Sequence, residues 1–261
     1  MAPRDEEPLL VCHGVCKYFG AMAAVKDLSF EVRRGEIFGI GGPNGAGKTT
    51  LFDVISGLTS ADGGRVVFAG RDITRAPPHR VCHLGVARTF QSTAAFDSMT
   101  VRDNVLVGAM FGGRTRFIPP IFRSGEAMAQ TDAALAAMSL SDRANRSIAD
   151  LPVFDRKLAM CASAMASKPK MLLLDEPVGG LNPHEIDLVV KIVRRIAAQG
   201  ITVILIEHVM RFMVQLATRV MIMHHGEKIF EGPPQGLARD RAVAEVYLGE
   251  RSANLLAKYL A

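Results

Sequence analysis

Cysteine is sparse: four residues in a chain of 261, too few and too scattered for a disulfide framework. That usage suits a reducing compartment. Cys82 and Cys161 stand alone. Cys12 and Cys16 flank His13 but lack the paired spacing and the distant His/Cys partners of a zinc site. They read as small apolar residues in or near a strand. Long apolar runs are missing too. A membrane-crossing helix takes about 20 apolar residues, whereas the longest runs here resemble Ile201 to Ile206. The chain is therefore expected not to cross a bilayer. Asp5, Glu6 and Glu7 stand where a secretory signal would be basic and then apolar, so no such signal is expected. Gly (24) and Pro (13) are near background, which excludes collagen-like and low-complexity classes. With 49% hydrophobic and 22% charged residues, disorder is excluded as well. No internal repeat is visible.

What is present has a clear order. Residues 1–8 read as a tail. From Leu9 to about Gly70, short β-like runs alternate with Gly-rich turns: Leu28–Val32, Ile37–Ile40 and Arg65–Phe68. One helix is expected from Lys48 to Ser56, stopped by Gly57. From Ser92 to about Asp150, strand signals vanish and Ala/Met-rich helical stretches take over, as in Asp132–Met138. Leu158, Cys161, Ala162 and Met165 then keep helical spacing. Met171–Leu174 and Ile201–Ile206 read as strands buried on both faces. Between them, Ile186, Val189, Val190, Val193, Ile196 and Ala197 mark an amphipathic helix ended at Gly200. Strands alternating with helices imply a parallel sheet covered by helices.

Six of the 24 glycines lie between Gly35 and Gly47. Here GxxxxGKT runs through Gly42, Pro43, Asn44, Gly45, Ala46, Gly47, Lys48 and Thr49, followed by Thr50, after a strand and opening a helix. Such a loop turns backbone N–H groups around phosphate oxygens, and the helix start adds positive potential. Lys48 is placed for the β- and γ-phosphates and the Thr49 hydroxyl for Mg²⁺. The dinucleotide alternative needs a glycine where Asn44 stands. Downstream, Met171–Leu174 runs into Asp175-Glu176-Pro177. Asp175 is a candidate Mg²⁺ ligand and Glu176 a candidate general base.

This order of motifs, with Gln91 in RTFQST and His208 in ILIEHVM, resembles the ATP-binding cassette of ABC transporters over about residues 9–250. The resemblance implies an α/β P-loop NTPase fold. It comprises a parallel-sheet core, an N-terminal antiparallel β subdomain and a helical subdomain at 92–166. It implies that Phe19 stacks on adenine, that Gln91 contacts Mg²⁺ and water, and that His208 contacts the γ-phosphate. VARTFQ, DEPVGGLNP and EGPP further resemble the ATP-binding subunits of branched-chain amino acid importers. The implied protein is a Mg²⁺-dependent ATPase powering uptake of branched-chain amino acids or related small polar or organic-acid solutes. It would sit on the cytoplasmic face of the membrane through transmembrane permease subunits. A second ATP-binding subunit, identical or not, and a solute-binding protein complete the implied assembly. The rivals are a nucleotide-gated regulatory cassette with little hydrolysis and a P-loop small-molecule kinase.

The resemblance breaks at one place. Where the family has LSGGQ, this chain has Leu151-Pro152-Val153-Phe154-Asp155. The family's segment grips ATP held by the opposing subunit. Here Asp155 is expected to cap the following helix, with Arg156 or Lys157 offsetting its charge. Asn182 replaces an acidic residue in the next loop. Intact motifs beside an altered segment point to a heterodimer with unequal sites.

The net charge of +5 is not read as a nucleic-acid footprint. Arg114, Arg116 and Arg123 fall in an acid-free stretch from Asn104 to Gly125, among Phe111, Phe117, Ile118, Ile121 and Phe122. That stretch fits packing on its own domain, or a surface toward a membrane partner. His224-His225 read as turn residues. Residues 251–261 form a C-terminal extension compatible with docking or with fraying.

Overall fold

The computed structural model describes residues 7–89, 95–112, 125–237 and 239–248. It divides into two compact units, Met1–Pro78 with Val193–Ala261, and His79–Ile192.

In the first unit, alternating side chains build an antiparallel sheet. β1 (Pro8–Phe19) pairs with β2 (Met22–Arg33) and with β4 (Gly63–Phe68), which pairs with β5 (Arg71–Asp72). Leu28, Phe30 and Val32 bury alternate positions of β2 while the residues between them are exposed. This is the period of a half-buried strand. β3 (Ile37–Gly41) and β8 (Thr202–Ile206) are buried at every position and pair in parallel. β3 also pairs in parallel with β9 (Arg219–His224), which forms a hairpin with β10 (Glu227–Gly232). The hairpin turn is His225-Gly226, both at positive φ (50° and 80°), so His225 is a turn residue as expected, whereas His224 is not: it ends β9, paired with Glu227. Gly39 and Gly41 serve this sheet rather than the phosphate loop. A Cβ on Gly39 would lie 2.8 Å from the Met213 side chain of α7 (Met210–Leu216), and one on Gly41 2.7 Å from Ile222. α1 (Lys48–Ser56) ends at Gly57, left-handed at φ 75°, at the residue read from sequence.

In the second unit, β6 (Val86–Arg88) pairs in parallel with β7 (Met171–Asp175). The short helix α2 (Pro78–Leu84) precedes β6. Neither α2 nor β6 was expected, because seven and three residues are too short to show a period. α3 (Val101–Phe111), α4 (Gly125–Ala137) and α5 (Val153–Ala166) pack together, and α6 (Pro183–Ala198) follows β7. Gly108 and Gly112, one turn apart on α3, face Ser163 and Ser167 one turn apart along the α5 segment. A Cβ on Gly108 would lie 2.0 Å from the Ser163 carbonyl oxygen. Gly108→Ala should therefore force α3 and α5 apart and destabilise the protein by about 1–3 kcal/mol. A chemical denaturation series checks this; an unchanged midpoint would show that the helices separate freely.

Candidate functional site

The loop between β3 and α1 owes its shape to three glycines at positive φ: Gly42 (144°), Gly45 (80°) and Gly47 (96°). Two of them are also sterically required. A Cβ on Gly42 would stand 2.2 Å from the Met223 carbonyl oxygen, and one on Gly47 2.0 Å from that of Ala24. Pro43 is half-buried, Asn44 and Gly45 are exposed, and Ala46 is buried and fixes the loop by accepting from the Gly226 N–H at 3.1 Å. No side chain caps the start of α1. Its first N–H groups therefore leave the helix's positive end open to an anion. Lys48 is buried, and its ammonium donates to the carbonyls of Gly42 (2.8 Å) and Pro43 (2.9 Å). The Lys48 charge is thus held at the loop itself. Thr49 is exposed and Thr50 half-buried.

Phe19 ends β1 with half its surface exposed, as a stacking platform requires, and the Lys17 ammonium lies 5.5 Å from its ring centre. Asp62 anchors this strand end. It accepts from the Tyr18 N–H at 2.7 Å and from Lys17 at 3.1 Å, and these bonds hold its carboxyl below the usual carboxylate range. Tyr18, not singled out from the sequence, is nearly as exposed as Phe19.

His208 follows β8 with its side chain half exposed. Its loop is set by Glu207, wholly buried, whose carboxylate accepts from the N–H groups of His208 (3.1 Å) and Val209 (3.2 Å). In the sequence Glu207 is only a single charge directly after a buried strand.

In the second unit, Asp175 ends β7 and is buried. Its carboxylate pairs with the Arg88 guanidinium at 2.8 Å. Glu176 adopts φ 47°, a left-handed conformation that costs a side-chain-bearing residue about 1–2 kcal/mol. Lys157 donates to the Glu176 carbonyl at 3.0 Å. Strain of this kind is common where a side chain must be aimed at a reacting group. Gln91 lies outside the described residues, as do Arg114, Arg116, Arg123, Phe117, Ile118, Ile121, Phe122 and 251–261.

The altered segment departs from expectation. Asp155 does not cap α5. The cap position is Pro152, which offers no side-chain bond, and Asp155 lies one turn inside. Its carboxylate is buried and pairs with Arg143 at 2.6 Å, not with its neighbours. Arg156 turns instead to Asp97 at 2.9 Å, and Lys157 to the Glu176 carbonyl. The start of α5 thus carries its own anion. Asn182 does act as a cap. Its side chain accepts from the Glu185 N–H at 3.0 Å while Glu185 accepts from the Asn182 N–H at 2.9 Å, a reciprocal capping box at the start of α6.

Cys12 is buried on β1 while His13 is exposed, as alternation along a strand demands, so the two do not converge. Burial pushes the Cys12 thiol well above its ordinary range and that of Cys161 up to about 12. Among the described residues no helix is long and apolar enough to cross a membrane.

The model of the ABC transporter domain family matches residues 25–179. This chain belongs to that ATP-binding cassette family. Curated relatives align with the cassette nearly end to end. The branched-chain amino acid transport ATP-binding protein BraF of Pseudomonas aeruginosa is 33% identical, covering 93% of this chain and 98% of its own. LivG of Escherichia coli K12 is 32% identical, covering 94% and 99%. The crystal structure of a nucleotide-free cassette from an ABC transporter superposes with a TM-score of 0.85 at 32% identity, over 94% of this chain and all of the other. A cassette in its ADP conformation gives the same TM-score, identity and coverage. The cassette is therefore a nucleotide-binding ATPase subunit of the transporter type, built on the α/β fold expected from the sequence.

Proposed function

We propose that the cassette is the ATP-hydrolysing subunit of an importer for branched-chain amino acids or closely related solutes. The observation that carries this reading is the end-to-end likeness to BraF and LivG, whose names state that transport. We place it on the cytoplasmic face of the membrane, held there by transmembrane permease subunits and supplied by a solute-binding protein. The assigned span is 9–250, with 92–166 as its helical part.

The open start of α1 and the inward-turned loop 42–47 bind the phosphates of ATP, with Lys48 moving from the Gly42 and Pro43 carbonyls onto phosphate oxygens. Phe19 carries the adenine. Glu176 orients the attacking water and accepts its proton, and His208 and Gln91 bear on the γ-phosphate side. For Mg²⁺ the assigned donors are the Thr49 hydroxyl, the Asp175 carboxylate and the Gln91 amide, oxygen ligands of the hard type that ion takes. The fit is supported by Asp175 itself, a buried carboxylate already paired with a cation. When bound, Mg²⁺ supplies charge neutralisation at the phosphates.

One observation favours a second reading, in which the cassette pairs with a different chain. The start of α5 already holds the Asp155 carboxylate, paired with Arg143, so an anion occupies the place where a partner's γ-phosphate would bind. ATP on this chain would then meet an ordinary segment of the partner, while the partner's ATP would meet Leu151–Asp155.

Reconstitution of the cassette with its permease subunits and solute-binding protein in liposomes tests the reading. ATP inside should drive uptake of leucine, isoleucine or valine. Uptake indifferent to ATP would remove the transport role, and ATP-driven uptake of other solutes alone would replace the substrate class.

A further inference from the structure

Arg88 ends β6 and Asp175 ends β7, and the register of these parallel neighbours sets Ala87 against Leu172 and Arg88 against Leu173. That register brings the guanidinium to 2.8 Å from the carboxylate, with the two side chains only 7% and 3% exposed. Thr89 ties the same strand ends together. Its N–H donates to the Leu173 carbonyl at 2.9 Å, and its hydroxyl accepts from the Asp175 N–H at 3.5 Å. A carboxylate this far from water needs a hydrogen-bonded cation to compensate its burial. Arg88 meets that need in a fixed place, since its strand is held in the ladder.

A divalent cation meets the same need. Two cations sharing one carboxylate repel each other, and each weakens the other's hold at short range. We propose that Arg88 is the positioning residue of the metal site. It holds the Asp175 carboxylate aimed while no metal is present, and it competes with the divalent cation for that carboxylate. The proposal rests on the reading of Asp175 as a metal ligand. Its consequence is conditional metal binding. Mg²⁺ alone does not displace the guanidinium, whereas Mg²⁺ arriving with nucleotide phosphates brings enough further ligation to do so. The cassette then loads metal and nucleotide together.

Thermal melting of the full chain reads this without turnover. Mg²⁺ is titrated at saturating ADP, and the half-point of the stabilisation is recorded. Arg88→Met should melt lower than wild type in chelator, because the buried Asp175 carboxylate loses its 2.8 Å bond to the guanidinium. At saturating Mg²⁺ and ADP the gap should close, and the Mg²⁺ half-point should fall about tenfold. An equal melting deficit with and without Mg²⁺ and ADP would make Arg88 merely structural and overturn the proposal. So would an unchanged or raised half-point. If Arg88→Met does not fold, Arg88→Lys serves instead, because it keeps a charge but loses the planar fork. It should lower the half-point a few-fold, and a wild-type half-point would again overturn the proposal. Asp175→Asn separates the two levels of the argument. It should raise the half-point sharply. A wild-type half-point in Asp175→Asn would overturn the metal assignment itself, whatever the Arg88 variants do.

Discussion

Lys48→Ala should lower ATP turnover of the assembled transporter by about 100-fold or more, with nucleotide affinity falling alongside. The size follows from where the charge sits. The Lys48 ammonium is buried and bound to two carbonyls of the loop that also forms the phosphate cradle, so its charge is fixed at that loop. Its removal takes a buried positive charge from the loop, and attraction by a buried charge is stronger than in bulk water. Loss of the two carbonyl bonds will also loosen the loop, so a binding measurement alone cannot separate charge from shape. Gly47→Ala provides the control for shape. Its Cβ would collide with the Ala24 carbonyl oxygen at 2.0 Å and must displace the loop while leaving the Lys48 charge in place. Nucleotide binding by equilibrium fluorescence and phosphate release should both fail in Lys48→Ala. Normal turnover in that variant would remove Lys48 from the phosphate site.

The phosphate loop was legible in the sequence because its motif is contiguous. The strand Ile37–Gly41, the loop and α1 follow one another directly, and Gly57 closes the helix through its own left-handed conformation. What was not legible depends on pairs far apart in the chain. Asp155 was assigned to its neighbours Arg156 and Lys157, but its partner is Arg143, twelve residues upstream. Arg88 and Asp175 meet across 87 positions, through a three-residue strand with no period of its own. Gly39 and Gly41 were counted with the phosphate glycines, yet they make room for Met213 and Ile222, from a helix and a strand far downstream. Glu207 hid for another reason. A single acidic residue after a strand carries no pattern, and its role appears only in the two N–H groups it gathers.

Glu176→Gln should lower turnover by about 100- to 10,000-fold while leaving nucleotide binding intact. Glutamine keeps the size and the hydrogen bonding of the side chain but cannot accept a proton at the same atom. The backbone at Glu176 is strained at φ 47° and held by Lys157, so the substitution changes the chemistry without releasing the strain. The informative comparison is the matching change in the second ATP-binding subunit of the assembly. If Asp155 keeps the start of α5 closed to a partner's phosphate, the two nucleotides are hydrolysed unequally. Glu176→Gln here should then abolish nearly all turnover, and the change in the partner should cost far less. Phosphate release from each single variant and from the double variant measures this directly. Equal losses would mean that Leu151–Asp155 supports hydrolysis as well as the ordinary segment does. The Arg143–Asp155 pair would in that case have to open when the phosphate arrives.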